Sequence, residues 1–214
     1  MSPSPPTAGR PRSGARRLPA ATAREEILDA AAELFAERGY AATSTRLIAE
    51  TVGIRQASLY YHFASKEQIL AELLEDTVRP SLAYAEQLAG RPGEPAAALH
   101  DLVVYDVGVL LGARWNIGML YALPEIATEP FARFRHDREQ LRRDYRRLAD
   151  AAAPADAGDP GRTGYPGLRG DLVFGLVESV IVMRRDLPGR APAEALQRAV
   201  AAAALRIVGA GSPA

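Results

Sequence analysis

The segment from Thr43 to Lys66 constrains the fold of this chain more than any other part of the sequence. It reads TSTRLIAETVGIRQASLYYHFASK and contains two short helical patterns separated by Gly53. Ser44 or Thr45 can cap the first helix, and a glycine can adopt the positive φ that ends one. The segment therefore predicts two short helices joined by a tight turn.

The second of these helices, about Arg55 to Phe63, has an unusually polar and aromatic outer surface. Leu59 and Phe63 lie at i, i+4 and form its buried face. The side chains that point elsewhere are Gln56, Ser58, Tyr60, Tyr61 and His62. So short a helix gains little from burial, but its composition is explained if the outer face lies in a DNA groove. The pattern indicates a helix-turn-helix.

These residues resemble the tetracycline-repressor (TetR) family of transcriptional regulators. The matches run from Ile27 to about Leu70: Leu34-Phe35, G-Y-x-A-T-S at 39–44, I-A-E-x-V-G-I at 48–54 and S-L-Y-Y-H-F-x-S-K-E at 58–67. Thr45 and Arg55 depart from the residue types common in the family. The resemblance implies an all-α protein, with a three-helix helix-turn-helix domain at 21–66 and a ligand-binding and dimerisation bundle at 67–210.

Matching the family position by position implies two kinds of DNA contact. Arginine can pair with guanine and glutamine with adenine in the major groove, whereas phosphate contacts hold the register. The predicted base-facing residues are Arg46, Gln56, Ala57, Ser58, Tyr61 and His62, with Arg55 at the start of the same helix. The predicted phosphate contacts are Ser44, Thr45, Tyr60 and Lys66. Any one of these alone is better explained as a solvated residue, but the ordered set favours DNA contact.

Composition limits the chemistry that the chain can perform. The absence of cysteine excludes disulfides, thiolate metal sites and iron–sulfur clusters. The three histidines are isolated and the E-x-x-H pattern of bundle metal sites is absent, so we predict neither a metal nor a cofactor. The formal net charge is zero, so any basic surface must be local.

The first twenty residues are rich in proline and arginine and are predicted to be disordered. Five arginines precede the first acidic residue: Arg10, Arg12, Arg16, Arg17 and Arg24. They are consistent with an arm that follows the minor groove beside the helix-turn-helix, or with a solubilising tail. Both interpretations stay open.

The rest of the chain shows helical periodicity without the period-two alternation of strands. The predicted helices begin at Thr22, Ser65, Pro95, Ala113, Pro130, Leu168 and Pro192, with a break at Pro80 and a connector over 151–167. The longest near-continuous apolar run, Leu172–Met183, is shorter than the ~20 residues that span a bilayer. We therefore expect an all-α protein of the cytoplasm with no membrane segment.

Helix 130–150 carries seven arginines with acids between them. A second nucleic-acid surface is one interpretation, but the interleaved acids favour a solvated face linked by salt bridges.

The last two helices have an apolar surface that exceeds what one neighbour can cover. The resemblance implies that they form a four-helix bundle with a second subunit, although a core within one subunit explains the same residues. The predicted interface residues are Leu172, Leu176, Val180, Met183, Leu196, Val200, Ala204 and Ile207. Glu178 and Ser179 would then need partners at or near that interface.

The resemblance also implies a small-molecule effector in the C-terminal domain. The candidate lining residues are Tyr105, Asp106, Arg114, Trp115, Asn116, Met119, Tyr121, Phe134, Tyr145 and Phe174. We favour Trp115, Asn116 and Met119, with Asp106 and Arg114 as the polar groups, although core packing explains each of these residues without a ligand.

The sequence thus predicts a homodimeric repressor that binds a palindromic double-stranded DNA operator and responds to a small molecule. One alternative is a ligand-independent regulator whose C-terminal domain only dimerises. The other is a helical-bundle enzyme, for which the sequence offers no nucleophile–base pair.

Overall fold

The computed structural model describes residues 22–90, 93–153, 167–186, 189 and 191–210. The predicted disordered arm at 1–20 and most of the predicted connector at 151–167 lie outside these residues. All the described secondary structure is helical, which confirms the predicted fold class. The α-helices are α1 Ala23–Arg38, α2 Thr45–Val52, α3 Gln56–His62, α4 Lys66–Asp76, α5 Arg79–Ala89, α6 Pro95–Gly112, α7 Ala132–Ala152, α8 Leu168–Asp186 and α9 Ala193–Val208. The chain divides into two compact units after Leu70, within α4.

The helices of the first unit begin at the predicted caps. Thr22 and Glu25 form a capping box at the start of α1, and Ser44 Oγ accepts a hydrogen bond from the Leu47 amide at 3.1 Å. Ser65 Oγ likewise accepts from the Gln68 amide at 3.2 Å at the start of α4. Local side chains therefore define where these helices begin.

The second unit is a bundle in which α6 contacts α5, α7, α8 and α9. Pro80 lies in the first turn of α5, so α4 ends before it as predicted. By length and composition α6 could cross a membrane, which the sequence analysis did not anticipate. Its central position in the bundle accounts for the same composition.

The predicted helix over 113–123 is wrong. The segment after α6 instead forms short 3-10 helices at Ile117–Ala122, Pro124–Ala127 and Glu129–Phe131. Arg184 binds the carbonyl oxygens of Leu110, Ala113 and Arg114, and Asn116 Nδ2 donates to the Ile181 carbonyl at 2.8 Å. These bonds to α8 hold the backbone in a path that an α-helix cannot follow.

Arginines of α7 face carboxylates of α8 where these two helices pack against each other. Arg146 and Arg142 both bond Asp171, at 2.7 and 2.8 Å. Partial burial acts to raise the pKa of Asp171, but the two guanidinium groups outweigh it and the pKa is lowered. The prediction of a face linked by salt bridges is thus right in part. The interleaved acids of α7 do pair with its arginines, but at longer distances than the acids of α8.

Candidate nucleic-acid interface and ligand cavities

The turn between α2 and α3 is built around one glycine. Gly53 has φ 75° and ψ 30°, and its amide donates to the carbonyl groups at the end of α2. Most residues avoid this left-handed conformation, so glycine at 53 lets α3 start within a few residues. Leu59 on α3 and Phe63 just after it are buried as predicted, at 0% and 1% exposure.

The predicted DNA-contacting side chains of α3 lie on its outer surface. Tyr61 is 88% exposed and Tyr60 48% exposed, and Gln56, Ala57 and Ser58 are also exposed. The ring of Tyr61 meets His62 edge to face at 5.4 Å. Arg55 precedes the helix as its N-cap residue without a side-chain capping bond. An outer face so rich in large exposed side chains is available to a partner.

Three of the predicted residues contact one another. Gln56 Nε2 donates to Thr45 Oγ1 at 3.0 Å, and Thr45 Oγ1 lies 3.1 Å from Tyr60 Oη. The sequence analysis assigned Gln56 to bases and the other two to phosphates, but it did not predict that they would form one hydrogen-bonded set. That set joins the start of α2 to α3.

Arg46 points outward from the first turn of α2 and pairs with Glu50. The Arg46 Nε to Glu50 Oε1 distance is 2.8 Å, and both side chains are more than half exposed. An exposed i,i+4 ion pair contributes little to stability. Arg46 can therefore exchange Glu50 for a base or phosphate at small cost.

Lys66 has an internal role that the sequence analysis missed. Its Nζ donates to the carbonyl oxygens of Tyr40 and Thr43, both at 2.9 Å, and lies 4.0 Å from the centre of the Tyr40 ring. Thr43 is itself buried and donates to the Gly39 carbonyl at 2.9 Å. These bonds link α4 to the segment between α1 and α2. The phosphate contact of Lys66 stays a prediction.

A buried polar cluster lies in the core of the second unit. Asp106 on α6 is 3% exposed; its Oδ1 accepts from Ser81 of α5 at 2.8 Å and its Oδ2 from Tyr145 of α7 at 2.9 Å. Arg138 of α7 binds both oxygens of Glu178, at 2.7 and 2.5 Å. Burial, with a smaller effect of the charge of Glu178, raises the pKa of Asp106 to about 6 even though two hydrogen bonds act to lower it.

Asp106→Asn should remove a pH dependence that this carboxyl imposes on stability. Between its ordinary value of 3.8 and about 6, the folded chain holds a proton that the unfolded chain releases. The ionised form is disfavoured in the fold, so stability falls as the pH rises through this window, by at most about 3 kcal/mol. Urea unfolding at pH values from 4 to 8 should show that the free energy of unfolding of the variant rises relative to that of the wild type up to about pH 7. Parallel pH profiles for the two proteins would contradict this prediction.

Two cavities adjoin this cluster. The inner one has a volume of about 10 Å³ and is lined by Thr77, Val78, Asp106, Leu110, Tyr121, Arg138, Leu141, Phe174 and Glu178. The outer one has a volume of about 270 Å³ and is lined by Tyr121, Ile126, Phe134, Arg135, Arg138 and Glu139. Tyr121 and Arg138 line both cavities, so the two spaces are neighbours.

The structure brings together only part of the predicted effector set. Asp106, Tyr121 and Phe174 line the inner cavity, Tyr121 and Phe134 line the outer one, and Tyr145 binds Asp106. The remaining candidates line neither of these cavities: Tyr105, Arg114, Trp115, Asn116 and Met119.

These remaining candidates have other surroundings. The ring of Tyr105 stacks on Tyr84 at 4.3 Å, and Arg114 is exposed, with its guanidinium 4.9 Å from the centre of the Trp115 ring. Asn116 is used to bind α8. The sequence analysis expected an α-helix over the favoured group at 115–119, whereas this segment has 3-10 geometry from Ile117 onward.

The polar groups that sequence reasoning missed are Thr77, Ser81, Arg138 and Glu178. A pattern could have indicated one pair, because arginines at 138, 142 and 146 repeat every four residues and acids at 171 and 178 are seven apart. Helices with such spacings can align their charges. Glu178 was expected to need a partner at or near the predicted subunit interface, and its partner is Arg138 of the same chain.

The predicted interface residues divide into two groups. Leu172 is 52% exposed, and Leu176, Met183, Leu196 and Ile207 are half-buried, so these five face outward. The other three are corrected, since Val180, Val200 and Ala204 are buried within the chain itself at 0%, 5% and 0% exposure. For these three the intramolecular explanation is right.

An apolar strip remains exposed along α8. It consists of Leu172, Gly175, Leu176, Ser179, Val182 and Met183, which recur at helical spacing, and we call it the α8 strip. A Cβ atom added at Gly175 would meet nothing within 4 Å, so the strip has space above it.

Comparison with known proteins gives a family match in the N-terminal part of the chain. The family model of bacterial regulatory proteins of the tetR family matches residues 27–73. The transcriptional repressor KstR2 of Mycolicibacterium smegmatis is 52% identical over 82 residues, and that of Mycobacterium tuberculosis 57% identical over 79 residues. These alignments cover 38% and 37% of this chain, and the chain spans only 40% of the length of either repressor.

Solved structures extend the likeness to nearly the whole chain. The crystal structure of Mycobacterium smegmatis AmtR is 48% identical, with a TM-score of 0.82, over 93% of this chain and 92% of that one. The ketosteroid transcriptional regulator KstR2 of Mycobacterium tuberculosis is 26% identical, with a TM-score of 0.67, over 86% of this chain and 94% of that one.

Proposed function

The chain belongs to the TetR family of helix-turn-helix transcriptional regulators. We propose that it is a homodimeric repressor and that a small molecule releases it from a palindromic operator. The named relatives KstR2 are transcriptional repressors, which supports this sign of regulation. We place its action in the cytoplasm, where its DNA is. The buried carboxyl of Asp106 and the phenol of Tyr145 are engaged with each other in an internal hydrogen bond, which supports a regulator over an enzyme.

The observation that carries the proposal is the outer face of α3. Tyr61 is 88% exposed at the centre of a face that also presents Gln56 and Ser58. A folded protein gains nothing from exposing so large a ring, whereas a recognition helix uses such side chains in the major groove. Arg46 and Arg55 are also exposed and add local positive charge to the predicted DNA-contacting residues.

Dimerisation is proposed because one short helix contacts too few base pairs for specific binding. Two copies related by a two-fold axis would contact half-sites about one helical turn apart, or a multiple of that distance. The α8 strip, with Leu196 and Ile207 of α9, supplies an apolar surface that a second copy can cover in the same way on both sides.

We propose that the effector occupies the outer cavity, where Tyr121 and Phe134 form an aromatic wall with rings 5.2 Å apart. A ligand lowers operator affinity only if it binds more tightly to a conformation that cannot engage both half-sites. Arg138 would sense the ligand, since it lines this cavity and binds α8 through Glu178.

The ligand-independent alternative keeps one observation in its favour. The inner cavity has room for about one water molecule, and the volume of the outer one is near the lower limit for small-molecule sites. A thermal-shift screen of metabolites, followed by operator release with each stabilising compound, separates the two. Stabilisation and release by the same compound supports the effector, whereas no response across the screen supports the alternative.

Tyr61→Ala tests the DNA-binding face with little risk to the fold. The side chain is 88% exposed, so its removal should leave the unfolding temperature unchanged. Loss of an aromatic contact in the groove should weaken binding to the preferred duplex by about tenfold, a loss of about 1–2 kcal/mol. The preferred duplex is first selected from a randomised pool with the wild type, and affinities are then measured by fluorescence anisotropy.

Glu86→Ala on α5 is the control, since it removes an exposed side chain of the second unit. Its affinity for the duplex should equal that of the wild type. If Tyr61→Ala binds as tightly as this control, the outer face of α3 does not contact DNA and the proposal fails.

A further inference from the structure

The hydroxyl of Thr45 lies between a predicted base contact and a predicted phosphate contact. It accepts the hydrogen bond of Gln56 Nε2 at 3.0 Å and lies 3.1 Å from Tyr60 Oη. Thr45 is half-buried, whereas Gln56 and Tyr60 are exposed. We propose that Thr45 is a positioning residue that orients the amide of Gln56 for a base and couples this contact to a phosphate contact made by the Thr45–Tyr60 hydroxyl pair. This inference rests on the proposed function, because it requires α3 to enter a groove of DNA.

Counting hydrogen atoms shows why the hydroxyl pair can still bind DNA. Thr45 and Tyr60 have one hydroxyl hydrogen each, and the bond between them uses one of the two. Gln56 supplies the hydrogen of its own bond to Thr45. One hydroxyl hydrogen therefore remains, whichever residue donates to the other, and it can be donated to a phosphate oxygen.

The bond to Thr45 leaves Gln56 with the groups that it needs to bind a base. Its amide has two N–H groups and a carbonyl oxygen, and Thr45 takes only one N–H. The carbonyl oxygen and the second N–H are the two groups that pair with N6 and N7 of adenine. An exposed glutamine without this bond would lose more rotamer freedom when it binds DNA. Thr45 reduces that loss because it restrains the side chain in advance.

Two simpler roles for Thr45 make different predictions. A residue that only contacts phosphate would change the affinity for all sequences alike and would alter its salt dependence. A residue that only joins α2 to α3 would change the stability of the fold and leave the base preference as it was. A positioning role changes the preference at the base pair that Gln56 contacts, and only there.

The test compares Thr45→Val, which keeps the β-branched shape without the hydroxyl, with Thr45→Ser, which keeps the hydroxyl. Wild type, both variants, Gln56→Ala and the double variant Thr45→Val/Gln56→Ala are each used to select duplexes from a randomised pool. The base pair whose preference Gln56→Ala relaxes defines the Gln56 position. Thr45→Val should relax the preference at that position by about two- to tenfold, as expected for the loss of one hydrogen bond. Thr45→Ser should retain it, and the double variant should be no worse there than Gln56→Ala.

Three outcomes overturn the inference while the proposed function stands. The first is that Thr45→Val weakens binding to all duplexes equally and makes the salt dependence shallower, which assigns Thr45 to phosphate alone. An unchanged preference with a lowered unfolding temperature assigns it to the fold alone. Additive losses in the double variant show that the two residues act independently. If the wild type enriches no sequence at all, the proposed function itself fails and takes the inference with it.

Discussion

Leu172→Arg is expected to convert the proposed dimer into a monomer and to lower operator affinity by about 100-fold or more. Leu172 is the most exposed large apolar residue of the α8 strip, at 52% exposure, so an arginine is tolerated in the single chain. In a two-fold interface the same substitution places two like charges among apolar side chains, where they cannot be solvated. Loss of the second half-site then removes the gain from simultaneous binding, which is on the order of 100-fold.

Analytical ultracentrifugation measures the oligomeric state, and fluorescence-anisotropy titration measures the affinity for the selected duplex. Ala83→Arg on α5 is the matched control, because it adds the same charge at an exposed position away from the strip. The control should remain dimeric and bind the duplex as the wild type does. A Leu172→Arg protein that is still dimeric would place the subunit interface elsewhere.

Gly170→Ala should destabilise the second unit strongly, because an added Cβ there makes a closer contact than at the other glycines compared in that unit. A Cβ atom at this position would lie 2.3 Å from the Cα atom of Arg146 and 2.7 Å from its backbone nitrogen. Backbone atoms cannot move aside as a flexible side chain can, so α7 and α8 must separate. Such separation should cost about 3 kcal/mol, at the upper end for overpacking, and also weaken the bonds from Arg142 and Arg146 to Asp171.

Chemical unfolding followed by circular dichroism measures this loss. Gly112→Ala at the end of α6 is the control, since a Cβ atom there would meet nothing within 4 Å. Its free energy of unfolding should stay within about 0.5 kcal/mol of the wild type. Equal stability of the two variants would mean that α7 and α8 can move apart at no cost.

The first unit was predictable because its information is local. Ser44, Gly53 and Ser65 set the ends of helices through bonds to nearby backbone groups, and Leu59 and Phe63 are neighbours on one helix face. None of these features needs knowledge of a distant part of the chain. The assignment of individual DNA contacts stays a prediction that the experiments above test.

The second unit was less predictable because its details depend on distant residues. The path of residues 113–123 is determined by Arg184 and by the Ile181 carbonyl, about seventy residues further along the chain. The burial of Val180 depends on how the helices pack, which an apolar helix does not reveal by itself. Sequence periodicity locates helices but leaves open which apolar face remains exposed.

The position of α8 has a consequence for how proteins built like this one diversify. One side of this helix carries the α8 strip, and another carries Asp171 and Glu178, which bind the arginines of α7. The surface proposed for pairing and part of the inner-cavity lining, Phe174 and Glu178, therefore lie on the same nineteen residues, Leu168–Asp186. In the proposed dimer, a lineage that changes the inner cavity through α8 would also change the surface offered to a second copy. Changes confined to residues 117–139, by contrast, would alter the outer cavity, where the effector is proposed to bind, and leave the α8 strip as it is.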